Sequence, residues 1–181
     1  MDVLSDVLRA IRLCGSVFFT AEFTAPWALE SPNPELLGPI VMPEAEHISF
    51  FHILTEGLCV VQCDRNARVA LESGDVVVFP HGHSHTMRSD DQAETRSLDD
   101  VFSQPSPDGL PQVVFGGGGR TTRFICGYLN CSHRFAPLFD ALPVALVVRR
   151  RADYGIVEVI GVRLEMSQTF RRNRADGWRP R

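Results

Sequence analysis

Hydrophobic residues recur along this chain with two different spacings. Between Asp2 and Leu13 they fall three or four positions apart, on one face of an amphipathic helix that Gly15 is expected to end. Elsewhere they form short β-rich runs separated by turns. These runs cover residues 17–23, 48–54, 58–63, 68–71, 76–79, 113–115 and 121–129. Strands this short and regularly spaced predict an all-β chain folded as an antiparallel barrel or sandwich.

Three segments depart from this alternation. Residues 88–112 are polar and acidic, and they predict a long loop that is either disordered or a cover over a functional site. Residues 134–142 carry an apolar stripe at helical spacing and predict a short helix. Residues 116–119 are four glycines, which predict a flexible hairpin between two strands. A phosphate-binding loop is disfavoured, because the Lys and Ser/Thr that follow such loops are absent.

Composition and charge narrow the class of protein. With 181 residues, 44% of them hydrophobic, the chain suffices for one domain with a proper core. Nine Arg against four acidic residues give residues 144–181 a net charge of +5, so residues 1–143 carry −9 of the total of −4. An acidic body argues against direct nucleic-acid binding. No apolar run approaches the roughly 20 residues of a membrane span, so no membrane association is expected.

The cysteines and the amino terminus indicate the compartment. An odd number of cysteines without a dense disulfide rhythm favours reduced thiols or a metal site. Asp2 and Asp6 are unlike the basic start of a secretory signal. The expected location is therefore the cytoplasm. The cysteines are Cys14, Cys59, Cys63, Cys126 and Cys131.

Residues 74–85 carry the most specific motif of the chain. Gly74, Pro80, Gly82 and His85 stand in the pattern G-x5-P-x-G-x2-H, which combines a buried strand, a tight turn and an imidazole at fixed offsets. The pattern resembles the second signature motif of cupins, except that Ser89 stands where that motif closes with Asn.

Further segments carry a resemblance to one group of cupins. In order and spacing, residues 1–143 resemble the amino-terminal domain of AraC/XylS-type transcriptional regulators. The matching segments are the first helix, the strand 51–57, the motif 74–85, the glycines 116–119 and the strand 122–128 leading to Cys131.

This resemblance implies a fold, a ligand and an assembly. The implied fold is a cupin-type antiparallel double-stranded β-helix, or jelly-roll barrel, which senses a small-molecule effector and forms a homodimer. Residues 1–143 would be the effector domain, and residues 144–181 a divergent Arg-rich extension. The family's helix-turn-helix half needs about a hundred further residues, so this chain is not expected to read DNA sequence itself.

The first cupin motif departs from the pattern of metal-dependent enzymes. Catalytic cupins usually hold a divalent metal ion with two His and a Glu from that motif and a His from the second. In the register set by Gly57, the Glu position falls on Phe50, and the His positions fall near Glu44 and Glu46. Phe50 replaces an ionised ligand with apolar bulk, so an enzyme of the usual cupin type is disfavoured.

A rearranged metal site is one interpretation of the remaining His and Cys residues. Imidazoles and thiolates together suit zinc in tetrahedral geometry. The candidate ligands are His83, His85, Cys126 and Cys131, with His52 as an alternative ligand because period-2 alternation places it on the inward face. The competing interpretation is structural, since buried cysteines commonly behave as small hydrophobic residues.

Effector contact without a metal is the other interpretation of the site. His52, Phe50, Tyr128 and Trp27 are the candidate effector-binding residues, although aromatic residues in a small barrel are first of all core. Three functions follow: a small-molecule-sensing module related to AraC-type regulators, a metal-dependent enzyme with a rearranged His/Cys site, and a dimerisation module. The sensing module is favoured.

Overall fold

The structure is a computed structural model that describes residues 13–31, 42–45, 47–63, 67–97, 112–131, 141–150 and 157–162. These residues form β-strands connected by turns and loops. The strands are β1 Leu13–Thr24, β2 Ala28–Glu30, β3 Ile48–Glu56, β4 Leu58–Gln62, β5 Arg68–Glu72, β6 Val76–Phe79, β7 Thr86–Arg88, β8 Thr95–Ser97, β9 Gln112–Gly116, β10 Thr121–Cys131, β11 Ala145–Arg150 and β12 Val157–Val162.

The strands form two sheets that face each other as a β-sandwich. One sheet has seven strands in the order β12-β11-β6-β3-β10-β1-β9, and the other has five in the order β5-β4-β7-β2-β8. The predicted all-β class is therefore confirmed for the described residues. Most strand pairs are antiparallel, as predicted, but the sheets are mixed, because β9 runs parallel to β1 and β8 runs parallel to β2.

The glycine run explains one of these parallel pairs. Strands β9 and β10 flank β1 on its two sides, so residues 116–119 cross over the end of β1 and the predicted hairpin is wrong. Gly117 N donates to Thr24 O at 2.7 Å, Gly118 N to the Thr24 hydroxyl at 2.9 Å, and Gly119 N to Ala25 O at 2.8 Å. These three amides already donate to Thr24 and Ala25, so they are not free to bind a phosphate.

Close approach makes glycine necessary in this crossover. Gly116 has φ of 134°, and a Cβ placed on it would lie 2.0 Å from Thr24 O. Gly118 also has a positive φ, of 83°, but a Cβ there would meet nothing within 4 Å. The four consecutive glycines thus allow the chain to pass close to the backbone of Thr24.

The other departures concern segments between strands. The predicted loop 88–112 contains Thr95–Ser97, which pairs with β2 and forms a strand. Leu13 and Gly15, expected at the end of the first helix, already belong to β1. The rest of that helix lies outside the described residues, as does most of the helix predicted over 134–142, of which Ala141 and Leu142 lie in a turn and bend.

The core lies between the two sheets and follows the alternation of the strands. Phe50, His52 and Leu54 of β3 are buried on the face that meets the second sheet. The Trp27 ring lies 4.8 Å from the ring of Phe23 and 5.9 Å from that of Phe124, centroid to centroid, and all three side chains are almost completely buried. Aromatic packing therefore fills the middle of the sandwich.

Strands β11 and β12 continue the larger sheet through β6. Leu146 to Val148 pair with Val76 to Val78, and Val147 is completely buried. Arg149 donates to Ala70 O at 3.0 Å and lies 3.7 Å from the buried carboxylate of Asp75. Part of the predicted 144–181 extension thus packs into the sheet, whereas a separate role for it stays a prediction. No helix in the described part of the chain has the length and apolarity needed to cross a membrane.

Candidate functional site

Two imidazoles from different parts of the chain meet inside the sandwich. His52 lies in the middle of β3, where its cross-strand neighbours are Cys126 of β10 and Val77 of β6. His85 follows the turn after β6, in which Gly82 N donates to Phe79 O at 3.0 Å and Gly82 has φ of 64°. This turn brings His85 back over the sheet, and its ring stacks on Phe79 at 3.6 Å between centroids.

The hydrogen bonds of the pair fix the positions of its protons. His52 Nε2 lies 2.8 Å from His85 Nε2, and His85 Nδ1 lies 3.0 Å from the carbonyl oxygen of His83. A carbonyl only accepts, so Nδ1 of His85 carries the proton and its Nε2 accepts. Nε2 of His52 must therefore donate to His85. Nδ1 of His52 is left as an acceptor, and within the described residues this buried atom has no partner.

Burial keeps both rings neutral. Desolvation lowers the pKa of His85 to about 4, an effect that its hydrogen bond to the His83 carbonyl partly opposes. Desolvation, with a smaller contribution from His85, places the pKa of His52 well below its ordinary value of 6.5. Near pH 7 the pair is thus two neutral imidazoles joined by one hydrogen bond.

The pair lies between an inner cavity and an outer cleft. His52 lines the inner cavity, whose room of about 20 Å³ matches roughly one water molecule. His85 lines the outer cleft of about 220 Å³ on the polar side of the smaller sheet. Glu30, at the end of β2, borders both spaces. The hydrogen bond between the two imidazoles therefore connects a mostly apolar interior with an open polar surface.

The predicted effector-binding residues divide into two groups. Phe50, His52 and Tyr128 line the inner cavity, and the rings of Phe50 and Tyr128 meet edge to face at 5.1 Å. Trp27 lies in the aromatic core and borders neither the inner cavity nor the outer cleft. Its packing is the one expected of a core residue.

The predicted zinc ligands are only partly brought together. His83 and His85 are neighbours through the His83 carbonyl, and Cys126 lies beside His52 in the sheet register. Burial, with a smaller contribution from Cys59, raises the pKa of Cys126 well above its ordinary value, so this thiol stays protonated. In the described segments, no three His, Cys, Asp or Glu side chains are grouped to hold a metal ion. Cys131 pairs with Leu13 through its backbone, and its side chain is not described.

Sequence reasoning missed the polar residues of the outer cleft. Thr86 pairs with Glu30 on one side and with Gln62 on the other, which places residues from three strands in one row. The alternation of Ser84, Thr86 and Arg88 could have indicated a polar face of this strand. The residues that complete the cleft, Glu30 and Gln62, lie more than twenty positions away in the sequence, and local patterns do not reveal such pairings. The cleft is lined by Glu30, Gln62, Cys63, Ser84, His85, Thr86 and Arg88.

Comparison with known proteins agrees with this architecture. A family model described as Cupin matches residues 2–168. The chain belongs to the cupin family. The match extends beyond residue 143, so it includes β11 and β12 of this cupin. No curated protein matches the sequence.

The described residues of this cupin do not fit the usual metal centre of the family. Phe50, at the position expected to supply the carboxylate, is buried and packs against Tyr128. His85, at the position of the second-motif ligand, is hydrogen-bonded to His52. Glu44, near a ligand position of the first motif, is exposed. A three-His-one-Glu centre is therefore not assembled from these side chains.

Proposed function

We propose that this cupin is a small-molecule-sensing module that binds its ligand at the His52–His85 pair. The observation that carries the proposal is the burial of two neutral imidazoles between a cavity and a cleft. Small-molecule sites are commonly concave and apolar, with a few polar groups that fix the orientation of the ligand. The pair and its aromatic neighbours have this composition.

The resemblance to AraC/XylS-type regulators supports a sensing role over a catalytic one. A sensor needs a ligand with different affinities for two states, and a partner that responds to the difference. We propose a homodimer as the assembly and the cytoplasm as the location. Residues 1–143 carry a net charge of −9, which disfavours phosphate contacts by this domain itself.

A thermal-shift screen tests the proposal. The purified chain is heated in the presence of neutral, anionic and cationic compounds of low molecular weight. At a concentration of about one hundred times Kd, a ligand adds about 2.7 kcal/mol of stability and raises Tm by about 5–10 °C for a chain of this size. The His85→Gln variant should lose most of this shift. A library in which no compound raises Tm, together with protein that carries no small molecule in native mass spectrometry, would refute a sensing role.

A rearranged zinc site is the second candidate function. The observation that favours it is the approach of two imidazole Nε2 atoms to 2.8 Å, because a metal ion could replace the proton that joins them. Zinc would be held by His52 or His85 together with Cys126, Cys131 or His83, and an open coordination position would permit catalysis. Elemental analysis of the purified chain should then give about one zinc per chain.

A double-mutant cycle adds a second test of the zinc site. Cys126→Ser and His85→Ala should each lower Tm and combine non-additively if the two residues share a metal ion. Metal-free protein of unchanged stability, or additive effects in the cycle, would remove the zinc candidate and leave metal-independent ligand binding.

A further inference from the structure

Nδ1 of His52 is one of several buried side-chain atoms that have no hydrogen-bond partner within the described residues, and His52 is the one among these residues that lines the inner cavity. His52 is 7% exposed, and its Nδ1 is a buried atom without a partner in the described part of the chain. A buried acceptor without a donor costs about 1–3 kcal/mol. The side chain of His52 lines the inner cavity, so a group that enters this cavity can supply the donor.

The surroundings of His52 determine the charge of such a group. The cavity wall is mostly aromatic and aliphatic, with Phe19, Phe23, Leu29 and Met87 among its residues. None of the described residues that line this cavity is an Arg or a Lys. A carboxylate or a phosphate would lose its hydration without gaining a cation, and the carboxylate of Glu30 at the rim adds repulsion.

The size of the cavity determines which part of a ligand enters. The room of about 20 Å³ that is already present accepts a single hydroxyl or a water molecule. The remainder of a ligand needs space that a side chain gives up on binding. Met87 lines the cavity and is unbranched, so it can change rotamer with little cost and vacate that space.

We propose that the ligand of this cupin is a neutral alcohol or phenol whose hydroxyl donates a hydrogen bond to Nδ1 of His52 and whose apolar body takes the space that Met87 vacates between the two sheets. The inference rests on the proposed function, because it names the chemical class bound at the same site. It assigns His52 as the residue that selects ligands with a donor over ligands of the same shape without one.

Phenol and toluene are matched probes, since they have similar shapes and only phenol carries a donor. Binding of each to the purified chain is measured by calorimetry or by ligand-observed NMR. His52→Phe keeps an aromatic ring and removes the acceptor, so we expect it to weaken phenol binding about tenfold, the equivalent of one hydrogen bond, and to leave toluene binding within about twofold. Met87→Leu is the control: it changes the cavity wall at nearly constant volume and should affect both probes alike.

A measurement on the unmodified chain covers the case in which His52→Phe does not fold. In protein labelled with ¹⁵N at histidine, we expect the Nε2–H tautomer at His52 and the Nδ1–H tautomer at His85. Phenol should shift the Nδ1 resonance of His52 in the direction of hydrogen-bond formation, whereas toluene should not.

The outcomes separate the inference from the proposed function. If both probes bind and phenol gains nothing from His52, the sandwich is a ligand site but the assignment of a hydroxyl donor is wrong. If benzoate binds more tightly than phenol, the ligand class is wrong. If none of these probes binds while another compound raises Tm in the thermal-shift screen, the inference fails and the sensing role stands.

Discussion

Acidification provides the sharpest test of the buried imidazole pair. The pKa of His85 lies at about 4 in the folded chain and near 6.5 when unfolded, so the unfolded state takes up the proton first as the pH falls. Stability contributed by neutral His85 is therefore complete above about pH 6.5 and is lost as the pH falls towards 4. A shift of about 2.5 units corresponds to about 3 kcal/mol of unfolding free energy. His52 acts in the same direction, because its pKa is lowered as well.

Urea unfolding at a series of pH values measures this loss. Between pH 6.5 and 4, each proton taken up on unfolding lowers the unfolding free energy by up to about 1.4 kcal/mol per pH unit. Carboxylates titrate in the lower part of this range, so the informative quantity is the difference between the unmodified chain and His85→Gln. Gln does not titrate here, and its amide oxygen can still accept from His52 Nε2.

The unfolding free energies of the two proteins, followed against pH, show whether His85 is neutral in the folded chain. The unmodified chain should lose about 3 kcal/mol more than His85→Gln between pH 7 and 4. Parallel curves would show that His85 titrates with its ordinary pKa, and hence that the imidazole is hydrated or charged rather than buried and neutral. A buried pair of neutral, hydrogen-bonded imidazoles would then be excluded.

Two further predictions concern the framework around the site, and thermal unfolding measures both. Gly116→Ala should lower stability by about 3 kcal/mol, because its Cβ would overlap the backbone of Thr24 and its φ is unfavourable for alanine. Gly118→Ala has the unfavourable φ but meets no atoms, so it should cost about 1 kcal/mol. Equal losses would contradict the close approach of Gly116 to Thr24. Arg149→Met should lower stability by about 1–2 kcal/mol, because it leaves the buried carboxylate of Asp75 without its guanidinium. Arg96→Met is the control, because Arg96 forms an exposed ion pair with Glu94 that should contribute little stability. Similar losses from the two Arg substitutions would count against a specific role of Arg149 in β11.

The strands of this cupin were predictable because their signals are local. Alternation over residues 48–54 and 76–79, with turns at Gly57 and Gly74, identifies β3 and β6 from a few adjacent positions. The same alternation places His52 on the inward face, where the structure has it. Pairing order was not predictable in this way. Whether residues 116–119 reverse direction or cross over another strand depends on β1, about a hundred residues earlier in the chain.

The candidate site was predictable in its residues more than in its contacts. His52 and His85 both stand out by type and motif, but their meeting depends on the turn at Gly82 and on the distance between the sheets. The outer cleft depends on strand pairing between β2, β4 and β7, which no local pattern encodes. The sequence alone therefore did not indicate Glu30 as a site residue. In the structure it lies at the end of β2 and lines the outer cleft.

The crossover at residues 116–119 also bears on the order in which this chain folds. Strand β1 obtains both of its neighbours, β9 and β10, from residues 112–131. During synthesis, β1 can therefore pair only after residues 112–131 have been made. Its pairing closes a loop of about a hundred residues, which slows folding. We expect β3 and β6, which are closer in sequence, to pair earlier. Hydrogen exchange pulsed during refolding should then show protection of β3 before protection of β1.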